Sequence, residues 1–156
     1  EKLSEENKDV RLIIAGEGEI EKKEAELIEN INKKYNNIVL KNHYIKEEDI
    51  DNIWEKSDIS ITPYLNSLQS GVIPIAINKA TPSIITPHNA LIEQCFINTD
   101  NPVALCAKDI SIESLLKAMK EILNKDTYLK LSENCIYVQK ELSWGSFLNK
   151  VIVLLK

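Results

Sequence analysis

Short apolar runs alternate with longer amphipathic stretches along the whole chain. Val10–Ala15 (VRLIIA) reads as a buried strand closed by Gly16-Glu17-Gly18. Glu19–Asn36 follows, with Ile20, Leu27, Ile28, Ile31 and Tyr35 at helical spacing. Ile38–Leu40 is a second strand, and Glu47–Lys56 a short helix with Ile50, Ile53 and Trp54 facing inward. Ile59–Thr62, ended by Pro63, is a third strand, and a helix runs from about Ser70 to Lys79. Ser83–Thr86, Cys95–Asn98 and Val103–Cys106 read as three more strands. Ile110–Leu123, Thr127–Leu142 and a last segment with Trp144, Phe147, Val151 and Leu155 are helical. Ile/Val runs separated by helices predict a Rossmann-like α/β fold, a parallel sheet of about six strands with helices on both faces. With no repeat, low-complexity tract or internal boundary, residues 1–156 are expected to form one domain.

Folds of this kind bind ligands outside the C-terminal ends of their strands. The loops to weigh are therefore Gly16–Gly18, Asn42–Ile45, Pro63–Gly71 and Thr86–Ala90. Gly16, Glu17 and Gly18 suit a tight turn with close backbone approach to a ligand, or a plain strand-to-helix turn. Glu21 stands where a dinucleotide fingerprint needs its third glycine, so that motif is excluded.

The segment Gln69-Ser70-Gly71-Val72 carries the sharpest local signal. Pro74 is tolerated only near a helix start, which predicts Ser70 as the N-cap. The amides of Gly71, Val72 and Ile73 would then project from the helix end as an anion cradle, or simply be hydrated. Thr86-Pro87-His88-Asn89-Ala90 brings polar groups to the same end of the strands. His88 is either a ligand contact or a solvated loop histidine. His43 and Tyr44 offer an aromatic face for a base, or ordinary surface packing. Glu93, among Leu91, Ile92, Cys95 and Phe96, either accepts hydroxyl groups of a sugar or ribose or caps its own helix.

Bulk properties narrow the classes. The net charge is −5, from 24 acids and 19 bases, which speaks against a nucleic-acid partner. Cys95, Cys106 and Cys135 are widely spaced and belong to no metal-binding pattern. They are expected to be reduced core thiols of a cytoplasmic protein, with no metal and no cofactor. No apolar run approaches the roughly 20 residues of a membrane span. The charged start without an initiator methionine suggests a fragment of something longer.

At these residues the chain resembles the group 1 glycosyltransferases of GT-B fold, which are retaining enzymes. LIIAGEGE (Leu12–Glu19) resembles the first loop of their donor domain. NIVLKNHYIKEEDIDNIWEKSDISITPY (Asn37–Tyr64) is similar to the strand, base-contact loop, short helix and PY-ended strand. QSGVIPIAINKATPSIITPHNALIE (Gln69–Glu93) resembles the stretch running from the phosphate loop to the Gly-Gly-Leu-x-Glu turn. The resemblance spans Val10 to about Leu155 and implies the C-terminal, donor-binding half of the fold. It implies that the amides around Ser70-Gly71-Val72 hold a nucleotide-sugar diphosphate. Asn42–Tyr44 would lie near the base, and Gly16–Gly18 would line the donor cleft.

Several positions depart from the pattern. Many members carry two glutamates in an E-x7-E motif, and here those places are Ser67 and Ile75. The usual Gly-Gly is Asn89-Ala90, and the usual Asp is Pro87, while Glu93 is retained. The segment that supplies a basic pair upstream has no counterpart in this sequence, and neither does the N-terminal acceptor domain. The chain is therefore expected to be inactive alone and to act within a full-length glycosyltransferase. There it would meet a sugar, glycan or lipid-linked acceptor, with the parent cytoplasmic or peripheral to the inner membrane face. No catalytic residue is assigned. The alternatives are a non-catalytic nucleotide-sugar-binding or scaffold domain and half of a sugar-nucleotide epimerase. The apolar segment Trp144–Lys156 is expected to need cover from another surface or a second copy.

Overall fold

A computed structural model describes residues 1–154 except 67 and 98. Ser67, Asn98 and Leu155, invoked above, lie outside the described residues. The chain divides into two compact units, Glu1–Ser57 and Asp58–Lys156.

The first unit runs α1 (Lys2–Glu6), β1 (Leu12–Ala15), α2 (Lys22–Tyr35), β2 (Ile38–Lys41) and α3 (Glu47–Trp54). Strands β1 and β2 are parallel, in register from Leu12 opposite Ile38 to Ala15 opposite Lys41. Helix α2 begins later than the apolar spacing suggested because Glu21 and Glu24 form a capping box. The Glu21 amide donates to the Glu24 carboxylate at 3.2 Å. At the other end Asn36 turns left-handed, with φ 50°, and the Asn32 side chain accepts the Ile38 amide at 2.9 Å. That bond joins the end of the helix to the start of β2.

Helix α1 was not foreseen, since five residues are too few to show a period. Its anchors come from distant residues. The Asn37 side-chain Nδ2 donates to Ser4 Oγ at 2.9 Å and to the Val10 carbonyl at 3.0 Å. Glu5 accepts from the Lys34 ammonium and from the Tyr35 hydroxyl. Both donors hold the Glu5 carboxyl below the usual carboxylate range, Lys34 first.

The second unit runs β3 (Ser60–Thr62), α4 (Val72–Asn78), β4 (Ser83–Ile85), α5 (Asn89–Gln94), β5 (Ala104–Cys106), α6 (Ile112–Ile122), α7 (Lys125–Glu141) and α8 (Trp144–Leu154). Its parallel sheet has the order β3-β4-β5, with Ser83 paired to both Ser60 and Ala104. Successive strand residues point to opposite faces, and the core shows this directly. Ile85 packs with Ile73, Ile77, Leu91, Cys135 and Val138, from α4, α5 and α7. Its neighbour Ile84 packs with Ala118, Ile122 and Leu131, from α6 and α7. Helices therefore cover both faces, as expected of a buried parallel sheet.

The expected sheet of about six strands is, among the described residues, five strands in sheets of two and three. Cys95–Asn98 is the run that was misread. Cys95 closes α5, and Phe96 takes φ 55°, so the chain turns there instead of extending. Cys95 and Phe96 are apolar because they join the same core from a helix end.

Ala80 follows α4 in the left-handed region, with φ 53°. The Thr81 amide reaches back to the Ala76 carbonyl at 2.9 Å, which closes the helix in the manner usually built with glycine. Ala80→Gly is expected to stabilise the protein by about 0.5–1 kcal/mol, because alanine pays a left-handed strain that glycine lacks. Urea denaturation measures this, and a lower midpoint for the glycine variant would contradict it.

Candidate functional site

The loops after β3 and β4 are joined through one carbonyl. Tyr64 O accepts the Thr86 hydroxyl at 2.7 Å and His88 Nε2 at 2.8 Å. A carbonyl only accepts, so His88 Nε2 carries the proton. The same two strands end here, Thr62 opposite Ile85 in the register. The polar groups thus gather at the C-terminal edge of the sheet, where α/β folds bind ligands.

Ser70 forms the second junction. Its side chain is 2% exposed. Ser70 Oγ accepts the Val72 amide at 3.2 Å and lies 3.2 Å from the Tyr64 hydroxyl. Its peptide pairs with the Gln94 side chain in both directions. The Ser70 amide donates to Gln94 Oε1 at 2.9 Å, and Gln94 Nε2 donates to the Ser70 carbonyl at 3.2 Å.

These bonds revise the expected cradle. Helix α4 starts at Val72 with Gly71, not Ser70, as its N-cap. Ser70 nonetheless makes the bond of a capping serine, to the amide two residues on. The Val72 amide is therefore engaged and does not project toward a ligand. Pro74 falls in the first turn, where its missing N–H costs nothing. Gly71 is exposed, and a Cβ placed on it would meet no atom within 4 Å. Gln69 is exposed on the same turn.

Helix α5 presents Asn89 and Glu93, both exposed. With Ile92, Phe96 and Thr99 they line a cavity of about 430 Å³. His88 is the N-cap of α5 and makes no capping bond with its side chain. A larger groove, about 830 Å³, is lined by Ile73, Pro74, Ile77, Phe96 and Trp144 among others. Of the residues of the expected anion cradle it contains only Ile73. Trp144, Leu148 and Ile152 of α8 are 78%, 52% and 50% exposed.

In the first unit, Gly16 sits just past β1 with φ 140°, a backbone state that side chains rarely tolerate. Its amide donates to the Lys41 carbonyl at 3.2 Å, and the His43 amide donates to the same oxygen at 3.0 Å. Glu17 and Gly18 are exposed beyond it. His43 Nδ1 donates to the Tyr44 carbonyl at 2.9 Å, and the Tyr44 ring is 69% exposed. The Gly16 turn and the His43–Tyr44 loop therefore share the C-terminal end of the β1-β2 pair.

Sequence reasoning placed Tyr64 and Thr86 in candidate loops without giving either a role, and it missed Gln94. A glutamine inside the apolar run Leu91–Phe96 was the available signal for the last. Among the described residues, no group of three or more His, Cys, Asp or Glu side chains is arranged to hold a metal ion. None of the helices there is long and apolar enough to cross a membrane.

Comparison with solved structures finds the sucrose-phosphate synthase of Thermosynechococcus elongatus, at TM-score 0.64 and 19% identity over 93% of this chain. The chain spans 37% of that protein's length. At this identity the likeness speaks to the fold, an α/β arrangement resembling half of a GT-B enzyme. A search of curated proteins returns no match. The sequence profile of "Glycosyl transferases group 1" matches residues 1–125. That match takes in both glycine-bearing loops, the Tyr64 junction and helix α5, and the chain belongs to the group 1 glycosyl transferases.

Proposed function

We propose that this chain binds the nucleotide-sugar donor of a retaining glycosyltransferase and, within a longer protein, presents it to an acceptor. The carrying observation is the junction on the Tyr64 carbonyl, which fixes the loops after two parallel strands side by side. Family membership supports the donor class, and the strand-end position supports the place.

In this reading the diphosphate lies over the turn at Gln69–Val72, where Gly71 leaves the backbone open. The sugar lies toward Asn89 and Glu93, whose amide and carboxylate bond hydroxyl groups. His88 is held through Nε2, which leaves Nδ1 for the ligand side. The first unit, by itself, offers the backbone at Gly16–Gly18 and the exposed Tyr44 at one strand end. The chain's part in catalysis is to hold the donor and stabilise the leaving diphosphate, which depends on keeping both substrates in register. No metal or cofactor is invoked.

Calorimetric titration with UDP, GDP and their sugar conjugates tests this. Saturable binding of one nucleotide is expected, and Gly71→Asp should abolish it by placing a carboxylate beside the diphosphate. The space around Gly71 lets the variant fold. Binding that survives Gly71→Asp would remove the diphosphate from this turn.

A second reading is a nucleotide-sugar-binding domain without transfer: by the resemblance, Ile75, which is partly buried, stands at a position of the E-x7-E motif. Donor binding without turnover in the full-length protein would select it.

A further inference from the structure

We infer that Gln94 is a positioning residue for the donor diphosphate, acting through the Ser70 peptide; this rests on the donor-binding reading above. The two bonds between Gln94 and Ser70 form a closed pair, with one accepted at 2.9 Å and one donated at 3.2 Å. No other residue type reproduces both at this reach. Alanine offers neither group. Glutamate keeps an acceptor for the Ser70 amide but sets a carboxylate against the Ser70 carbonyl.

The pair links elements far apart in sequence. Gln94 is the last residue of α5, the helix that carries Asn89 and Glu93. Ser70 immediately precedes Gly71, the open position of the turn. Ser70 Oγ cannot fix the turn alone, because it bonds Val72 and Tyr64 and leaves its own peptide to another partner. Gln94 supplies that partner from the helix on the proposed sugar side. The orientation of the Gly71 peptide is thereby tied to the position of α5, so the phosphate and sugar contacts keep one spacing. A ligand held by backbone groups depends on such preorganisation, because its binding energy is otherwise consumed in ordering the loop.

The test compares the whole chain with Gln94→Ala and Gln94→Glu. Thermal melts first establish a temperature at which all three are folded. UDP, GDP, UMP and GMP are then titrated, and exchange of the Ser70 amide is followed by NMR. Gln94→Ala is expected to weaken the preferred diphosphate about tenfold, from the loss of two hydrogen bonds that order the turn. The monophosphate of the same base should change less than about threefold. Ser70 amide exchange should rise in both variants, and Gln94→Glu should bind no better than Gln94→Ala.

Equal diphosphate affinity in folded variants would overturn the positioning role and leave the donor reading standing. Equal losses for diphosphate and monophosphate would overturn it too, since the effect would not pass through the phosphate turn. An unchanged Ser70 exchange rate would show that the pair does not hold that peptide. A wild-type chain that binds none of the four nucleotides would overturn both this role and the donor reading.

Discussion

Ile85→Ala is expected to cost about 2–5 kcal/mol of stability, a large share of the roughly 5–15 kcal/mol that holds a typical domain together. Ile85 lies on β4, the middle strand of the second unit, and is fully buried. It touches side chains from three helices, and α4 and α5 flank the proposed site. Such a position cannot collapse easily around a smaller residue, so the cavity persists and adds to the lost transfer energy. Leu123→Ala serves as the control, because Leu123 is 41% exposed and its loss should stay below about 1 kcal/mol. Urea unfolding of the two variants decides the matter. A loss under about 1 kcal/mol for Ile85→Ala would mean that β4 is not the packed centre.

Alkaline pH should destabilise the second unit strongly. Burial first, then the neighbouring Cys135 and Cys106 thiols, pushes Cys95 up to about 12 from the ordinary 9.0. Burial likewise pushes Cys135 up to about 12. Below pH 9 both thiols are protonated whether the chain is folded or not, and stability is unaffected by them. Between 9 and 12 the unfolded chain releases these protons while the folded one retains them. The unfolded state then binds fewer protons, so stability falls as pH rises, by up to about 1.4 kcal/mol per pH unit per thiol. Tyr128, raised by burial and by the Asp58 charge, adds in the same direction.

Denaturation between pH 8 and 11 should show this slope, and a Cys95→Ala/Cys135→Ala double variant should flatten it. The same slope in the double variant would refute the assignment. Thiol reactivity gives a second view, since the thiolate is the attacking species. At pH 8, Cys95 and Cys135 should alkylate only as fast as the protein opens, and the partly exposed Cys106 faster.

Periodicity carried much of the architecture. Val10–Ala15, Ile59–Thr62, Ser83–Thr86 and Val103–Cys106 each contain an observed strand, trimmed at one end, while Ile38–Leu40 lies inside β2, which extends one residue further to Lys41. The runs of β3, β4 and β5 are legible because a strand buried on both faces leaves no polar alternation, whereas β1 and β2 are apolar but only partly buried or exposed. The same rule misled at Cys95–Phe96, where the apolar residues belong to a helix end and its turn. A short apolar run looks alike in both settings, and only the backbone angle at Phe96 separates them.

The candidate site divides in the same manner. Glycines, a proline and polar residues after strands marked Gly16–Gly18, Gln69–Val72 and Thr86–Asn89, because the special backbone angles and helix starts they permit are local properties. The sequence by itself therefore determined the strand-and-helix alternation, the family and the loops at the strand ends. Tertiary structure alone decided that Ser70 faces inward, that the Val72 amide is engaged, and that Tyr64 O joins Thr86 to His88. It also decided that Gln94 closes on a peptide 24 residues away. Those pairings depend on where strands and helices bring backbone groups in space, because most buried polar groups take whichever partner the fold supplies.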